Sequence, residues 1–580
     1  MKLTGALAAL ATMASAKLTV VPLPQSQLDD GKTYSLSASE FDFASTGANS
    51  DFLTQALDRA TAVMFGPRMH ANELHSLRSL LAQGFLPEEE FDILVAKLLS
   101  APNQSIGFEW YKEAGDLELA DGGAITGCDV SVTSDEQIKT LDTDESYKLT
   151  ILPPRIQITA QTVFGAMYGL ETLSQLVDAG TSVDGTQIAD SPRFQFRATM
   201  IDTSRHWLEL KFIKQHIDAM AYSKFNVLHW HLVDSISFPF QSTSYPKMSI
   251  DGAYLPNEIY THDDVKEIVQ YGLARGVRTI PEFDTPGHVY RGWESLGVLT
   301  QCYDADGNEA DTGPLDPTLD LTYEVLSNFY EEVKEVFAPE TFVHVGGDEV
   351  PDDCWSSNPE ITKWMEDHPE VEDFAGLETQ FEQKLLTDLK SKGMSYMIWQ
   401  EIFDNGADIL DDTVIDVWKG GWEEEMANVT AAGYHAVLSA PFYLNYINYG
   451  MDWVSYYQTE PANFTGGEAA EESGLFAGIE ACFWSEFIDA TNLAQRAWPR
   501  ASAVAERAWS VAEDTTDLVD AQERLNQFRC KLMDRGIPAE PIGICGNEGC
   551  NSDKSNVAVP GYGGFCPREW SADYVPPMMY

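Results

Sequence analysis

The chain has 580 residues, with 91 acidic against 37 basic side chains and a formal net charge of −54 at pH 7. That balance excludes nucleic acid and anionic membrane surfaces as partners, since both repel a polyanion. Hydrophobic residues make up 44% of the chain and there are 14 tryptophans, enough for one large core with smaller domains attached.

In chain order, residues 1–16 read as a signal peptide. Lys2 supplies positive charge, Leu3 to Met13 is mostly apolar, and Ala14-Ser15-Ala16 is a small-residue cleavage site. That apolar run is too short to cross a bilayer, and no later segment reaches about 18 uncharged apolar residues, so no membrane span is expected. A secreted or endolysosomal destination follows. It gives meaning to glycan acceptor sites at Asn103, Asn428 and Asn463 and to eight cysteines. The cysteines are too scattered for a zinc pattern, so bridges and buried thiols are expected.

Residues 17–190 read as an α/β accessory domain. Leu18 to Pro22 and Tyr147 to Leu152 are β-rich, and Val163 to Val177 has helical apolar spacing. A two-helix insertion falls at about residues 70–100. Leu74, Leu77, Leu80 and Leu81 share a face, Gly84 breaks the helix, Pro87 opens a second, and Phe91, Leu94, Val95 and Leu98 continue the stripe. It reads either as an oligomerisation-type motif or as an ordinary surface hairpin.

From 195 to 535 buried strands alternate with helices. The strands are expected at Ala198–Asp202, Val227–Val233, Arg278–Phe283, Thr341–Val345, Tyr396–Gln400, Val414–Trp418, Ala436–Ser439 and Gly478–Trp484. Eight such strands predict a (β/α)₈ TIM barrel as the catalytic domain. A doubly wound open sheet is the alternative, but it would carry a Gly-rich phosphate loop after the first strand, and none is present. A last helix is expected at Asn492–Val511, and residues 536–580 form a Cys- and Gly-containing tail.

Polar residues recur where these strands end: Asp202 to Arg205, Asp234, Glu282 to His288, Asp348-Glu349, Trp399 to Glu401, Trp418, Tyr443 and Asn445, then Trp484 and Glu486. In a barrel those ends meet at one face, where active sites sit. Carboxylates that bind hydroxyls and move protons, together with indoles that stack on pyranose rings, are what a sugar site needs. An isolated Asp-Glu pair is ordinarily two solvated acids. In a shared cleft, two adjacent carboxylates repel and at least one pKa rises, as acid/base catalysis requires.

The blocks Asp202-Thr203-Ser204-Arg205-His206, His229-Trp230-His231-Leu232-Val233-Asp234, Glu282-Phe283-Asp284-Thr285-Pro286-Gly287-His288, His344-Val345-Gly346-Gly347-Asp348-Glu349-Val350 and Trp498-Pro499-Arg500-Ala501 resemble the β-N-acetylhexosaminidases of glycoside hydrolase family 20. The resemblance covers roughly residues 150 to 535. It implies exo-hydrolysis of terminal β-linked N-acetylglucosamine or N-acetylgalactosamine by a retaining, substrate-assisted mechanism without a cofactor. It makes Glu349 the acid/base and Asp348 the partner of the acetamido group. Arg205, Asp234 and Glu486 bind hydroxyls, His288 sits beside the acids, and Asn445 lies near the 6-hydroxyl. Trp399, Trp418 and Trp484 wall the acetamido pocket, and Tyr443 donates to the acetamido oxygen. The resemblance also pairs Cys302 with Cys354 and Cys530 with Cys545, and it makes a homodimer an expectation, although no interface signal is visible.

His229 and His231 share a strand face and could bind metal, but no third ligand stands at suitable spacing, so no metal is expected. Two other readings share the fold: a non-catalytic carbohydrate receptor and a lacto-N-biosidase-like hydrolase. Chitin fragments, N-glycans and glycolipids all remain open as substrates. Tyr446 follows Asn445 where some relatives carry a basic residue, which disfavours sulphated sugars.

Overall fold

The computed structural model describes residues 20–48, 50–65, 123–178, 180–407, 409–448 and 451–543. The expected signal peptide, two-helix insertion, Asn103 and the tail from residue 544 lie outside the described residues. No helix among those described is long and apolar enough to cross a membrane.

The N-terminal sheet has seven strands: Ser26–Leu36 (β1), Asp42–Gly47 (β2), Ala124–Ile125 (β3), Gly127–Val132 (β4), Tyr147–Thr150 (β5), Ile156–Ala160 (β6) and Ser182–Asp190 (β7), in the order β2-β4-β6-β5-β7-β1-β3. Helices Asp51–Phe65 (α1) and Val163–Leu176 (α2) accompany it. The Thr162 hydroxyl caps α2 by accepting the Gly165 N–H at 3.2 Å. Nearly every α2 side chain is buried, as expected of a helix with apolar residues on all sides. One face covers β5 and β6, while Tyr168 packs its ring 5.0 Å from Trp509 of the second domain. The strand expected at Leu18–Pro22 does not form over the described part. Val21 instead packs into the core of the second domain and donates its N–H to Gln175 Oε1 at 2.9 Å. Pro22 and Pro24 have no N–H to give a ladder.

The second domain is a closed parallel barrel of eight strands: Phe196–Asp202 (β8), Val227–Val233 (β9), Arg278–Phe283 (β10), Phe342–His344 (β13), Ser395–Trp399 (β14), Val414–Val417 (β15), His435–Leu438 (β16) and Phe476–Phe483 (β17). All lie where the apolar runs predict them. Parallel strands covered by helices are buried on both faces, which makes the runs continuous; every residue of β9 is buried. Helices Leu210–Tyr222, His262–Leu273, Asp320–Phe337 and Phe374–Ser391 lie between the strands, in the expected alternation.

The C-terminal end differs from expectation. The single helix expected at Asn492–Val511 is two, Leu493–Ala497 and Arg500–Trp509, with Trp498 extended between them (φ −114°, ψ 138°). Pro499 lacks an N–H and pushes the residue before it out of the helical region. A further helix, Leu518–Asp534, follows, capped by Asp517 and anchored by Leu525, Phe528 and Leu532.

A hairpin of Leu299–Tyr303 (β11) and Glu309–Leu315 (β12) was likewise not anticipated. Cys302 on β11 is bridged to Cys354 on helix Asp352–Ser357, as the resemblance implied. Cys530 is also disulfide-bonded, and its expected partner Cys545 lies outside the described residues. Cys128 and Cys482 are buried free thiols. The Cys302–Cys354 bridge pins the segment that follows Asp348-Glu349. Cys302→Ser with Cys354→Ser is expected to cost about 2–5 kcal/mol, measured by denaturant unfolding against the parent protein.

Candidate active site

Strand β13 stops at His344, and the next residues turn the chain sharply. Gly346 and Gly347 have φ of 79° and 90°. A Cβ on Gly346 would fall 1.7 Å from Asp284 Oδ1, and one on Gly347 would fall 2.2 Å from Ile402 Cδ1. Only glycine fits either place. His344 Nδ1 accepts the Gly346 N–H at 3.1 Å and Asp284 Oδ1 accepts the Gly347 N–H at 2.9 Å, which fixes the turn. Glu349 and His288 both hold left-handed backbone, φ 51° and 48°. Such strain collects at functional sites.

The turn sends the two adjacent acids to different surroundings. Asp348 is buried, and its Oδ1 has no hydrogen-bond partner among the described residues. The Glu349 side chain is 61% exposed. His288 joins them, with Nε2 at 3.8 Å from Asp348 Oδ2 and 3.6 Å from Glu349 Oε2, while Nδ1 lies 3.3 Å from Asp234 Oδ2. Burial works against a charge on His288, but Asp284, Asp234, Glu349 and Asp348 outweigh it and push its pKa up to about 12. Burial and the neighbouring Asp284 raise Asp348 well above the carboxylate range, and burial lifts Asp284 to about 6. The hydrogen bond and charge of His288 hold Glu349 below its ordinary value. These directions favour a proton on the Asp284–Asp348 pair and an ionised Glu349.

Arg205 follows β8. Its Nη2 meets Asp234 Oδ2 at 2.8 Å, its Nη1 meets Asp202 Oδ2 at 3.3 Å, and its guanidinium lies 4.8 Å from the Trp484 ring centre. Trp484 is 6.2 Å from Trp399, and Trp418 stacks 6.3 Å from Tyr443. Trp418 is fixed by its indole N–H, which donates to Glu401 Oε2 at 2.8 Å. Glu486 is exposed and its charge acts on Arg205. Asn445 is half-buried, and its Oδ1 has no partner among the described residues. The expected residues from all eight strand ends thus come together at one mouth of the barrel. Asn428 and Asn463 lie exposed elsewhere, on helix Trp422–Ala432 and in a loop.

A buried polar layer beneath the site was not anticipated as a unit. His229 places Nδ1 3.1 Å from Glu480 Oε1 and Nε2 3.0 Å from Glu282 Oε2. The topology also brings His344 and Asp416 within ligand distance of His229, so the expected want of a third metal ligand is corrected. The donor chemistry still fits a metal poorly. Burial disfavours charge on His229, yet Glu480 and Glu282 raise its pKa well above the ordinary range, and a protonated imidazole has no lone pair for a metal. The available signal was a charged residue inside an apolar run, Glu480 in Phe476–Phe483.

The catalytic-domain model of glycosyl hydrolase family 20 matches residues 194–512, and a model described as beta-acetyl hexosaminidase like matches residues 20–176. The chain is 43% identical to the beta-hexosaminidase subunit beta of Homo sapiens over 76% of this chain and 80% of that one. It is 44% identical to subunit alpha of Bos taurus over 72% and 79%. Among solved structures, the chitobiase of Flavobacterium johnsoniae superposes with a TM-score of 0.71 at 28% identity, covering 90% of this chain and 73% of that one. With a closed eight-stranded barrel, an N-terminal α/β domain and these relatives, the chain belongs to glycosyl hydrolase family 20 and is a glycoside hydrolase of the β-hexosaminidase type.

Proposed function

We propose that the enzyme removes terminal non-reducing β-linked N-acetylglucosamine or N-acetylgalactosamine from oligosaccharides or glycoconjugates with retention, the substrate acting as its own nucleophile. The observation that carries this reading is the split between two neighbouring acids, one buried with a free oxygen and the other exposed. Glu349 can reach a leaving-group oxygen from the solvent side. Asp348 can receive only a group that enters the pocket.

In this reading Arg205, Asp234 and Glu486 bind the sugar hydroxyls, with Asn445 near the 6-position. Trp399, Trp418 and Trp484 enclose the acetamido group, and Tyr443 donates a hydrogen bond to its oxygen. That oxygen forms a bond to the anomeric carbon while the glycosidic bond breaks and Glu349 gives its proton to the departing oxygen. The oxazolinium ion carries its positive charge next to Asp348. Glu349, now a carboxylate, takes a proton from water as the water oxygen bonds to the anomeric carbon and the ring reopens. The unliganded charges are the reverse of those this sequence starts from, and substrate supplies the reversal. Covering Glu349 removes it from water and raises its pKa, whereas an acetamido N–H on Asp348 Oδ1 favours the anion. His288 stands between the two acids and couples them.

The receptor reading has no comparable support, because both acids are present. A secretory or endolysosomal location fits the N-terminal sequence and the exposed Asn428 and Asn463. The test is hydrolysis of p-nitrophenyl N-acetyl-β-glucosaminide across acid to neutral pH, with the first-formed anomer read by proton NMR. Release of the β-anomer is expected. Binding without turnover would favour the receptor, and release of the α-anomer would reject the substrate-assisted route.

A further inference from the structure

Glu282 is fully buried on β10, at the centre of the polar layer below the site. Its Oε1 accepts the indole N–H of Trp399 at 2.8 Å, and its Oε2 lies 2.5 Å from His231 Nδ1 and 3.0 Å from His229 Nε2. His231 Nε2 continues to Asp234 Oδ2 at 3.0 Å, and that same oxygen holds Arg205 Nη2 at 2.8 Å. One buried carboxylate is therefore connected to both halves of the site: to the indole wall directly, and to the guanidinium through an imidazole and an aspartate. We infer that Glu282 is a positioning residue that sets Trp399 and Arg205 relative to one another through a Glu282–His231–Asp234–Arg205 relay. The inference rests on the sugar-binding roles proposed above for Trp399 and Arg205.

The geometry makes His231 the link that carries information. Glu282 from β10 and Asp234 from the loop after β9 occupy its two ring nitrogens. Asp202 of β8 acts on it, Arg205 Nη1 stands 3.4 Å from Nε2, and the Trp484 ring meets its edge at 4.7 Å. With a carboxylate at each nitrogen, both nitrogens donate and the ring cannot turn. Burial opposes that charge, but Glu282 and Asp234 prevail and raise the His231 pKa to about 10. The relay is therefore locked through the acid and neutral range.

Glu282→Gln retains the shape and an acceptor for Trp399 while removing the charge that faces His231. The variant is expected to fold, to lose about 10- to 100-fold in kcat/KM for p-nitrophenyl N-acetyl-β-glucosaminide, and to gain an ionisation in its kcat/KM profile at about pH 6–8 as His231 returns toward its ordinary range. A kcat/KM within about twofold of the parent's, with an unchanged pH profile, would overturn the inference. If the variant does not fold, the parent enzyme decides by NMR. Its His231 imidazole, assigned as the signal missing in His231→Asn, must stay protonated to about pH 8, whereas titration near about 6.5 overturns the relay. A parent enzyme that does not hydrolyse the glycoside would defeat the proposed activity instead, and the His231 titration would still report on the relay.

Discussion

Glu349→Gln is expected to lower kcat for an N-acetyl-β-glucosaminide with a poor leaving group by about 10²–10⁴-fold, the range a general acid supplies. The size of the loss depends on the leaving group. An alcohol leaving group must be protonated as it departs, so a chitobiose-type substrate carries the full loss at the first step. A nitrophenolate leaves without help, so its glycoside is slowed at that step far less. The basic limb of the pH profile should also disappear, because the titrating acid is gone. The Glu349 side chain is 61% exposed and its pairing with His288 is a solvent-screened one, so the melting temperature should stay close to that of the parent enzyme. The measurement is a leaving-group series for both proteins at several pH values. An equal loss of kcat/KM, which reports the first step alone, for every substrate would remove Glu349 from the acid role.

Asp348→Asn is expected to act in two directions at once. Turnover should fall by about 10²–10³-fold, the usual effect of losing one preorganised charge partner of the transition state. Stability at pH 7 should rise, because the amide is neutral in the buried site without having to hold a proton that the unfolded chain releases. The sign follows from linkage. Burial and Asp284 raise the Asp348 pKa in the folded state, so the folded protein holds a proton that the unfolded chain releases. The stability this gives is complete below the ordinary carboxylate range and is lost as pH rises through the folded value. The amide does not titrate, so variant and parent should melt alike near pH 4 and diverge as pH climbs. Thermal unfolding at pH 4 and pH 7 checks it. A variant less stable than the parent at both would show that Asp348 is a structural anchor rather than a strained functional group.

The barrel was legible because its strands are buried on both faces and so form unbroken apolar runs. The site was legible because polar residues cluster where those runs end. Three features were not legible, each for a physical reason. The break at Trp498-Pro499 was masked by apolar spacing that continues across it. The layer of Glu282, His229 and Glu480 was hidden because a side chain's neighbours inside a barrel come from strands far apart in sequence. The charge state of Asp348 depends on Asp284, which lies 63 residues before the glycine turn it holds, and that of Glu349 depends on His288. The sequence identifies both acids but not which of them the turn buries.

The pairing of β17 with β8 has a consequence for how activity is acquired. Cys482 stands opposite Met200, and Phe483 opposite Ile201, so the last strand is what closes the ring on the first. Trp484 and Glu486 leave one side of that seam and Arg205 leaves the other. The corner where Arg205 meets Trp484 and Glu486, proposed above to bind sugar hydroxyls, therefore forms only when the last strand pairs with the first. Contacts this distant in sequence form late and slowly. On the proposed roles, a chain lacking its last strand would hold both Asp348 and Glu349 yet lack one side of the sugar-binding corner.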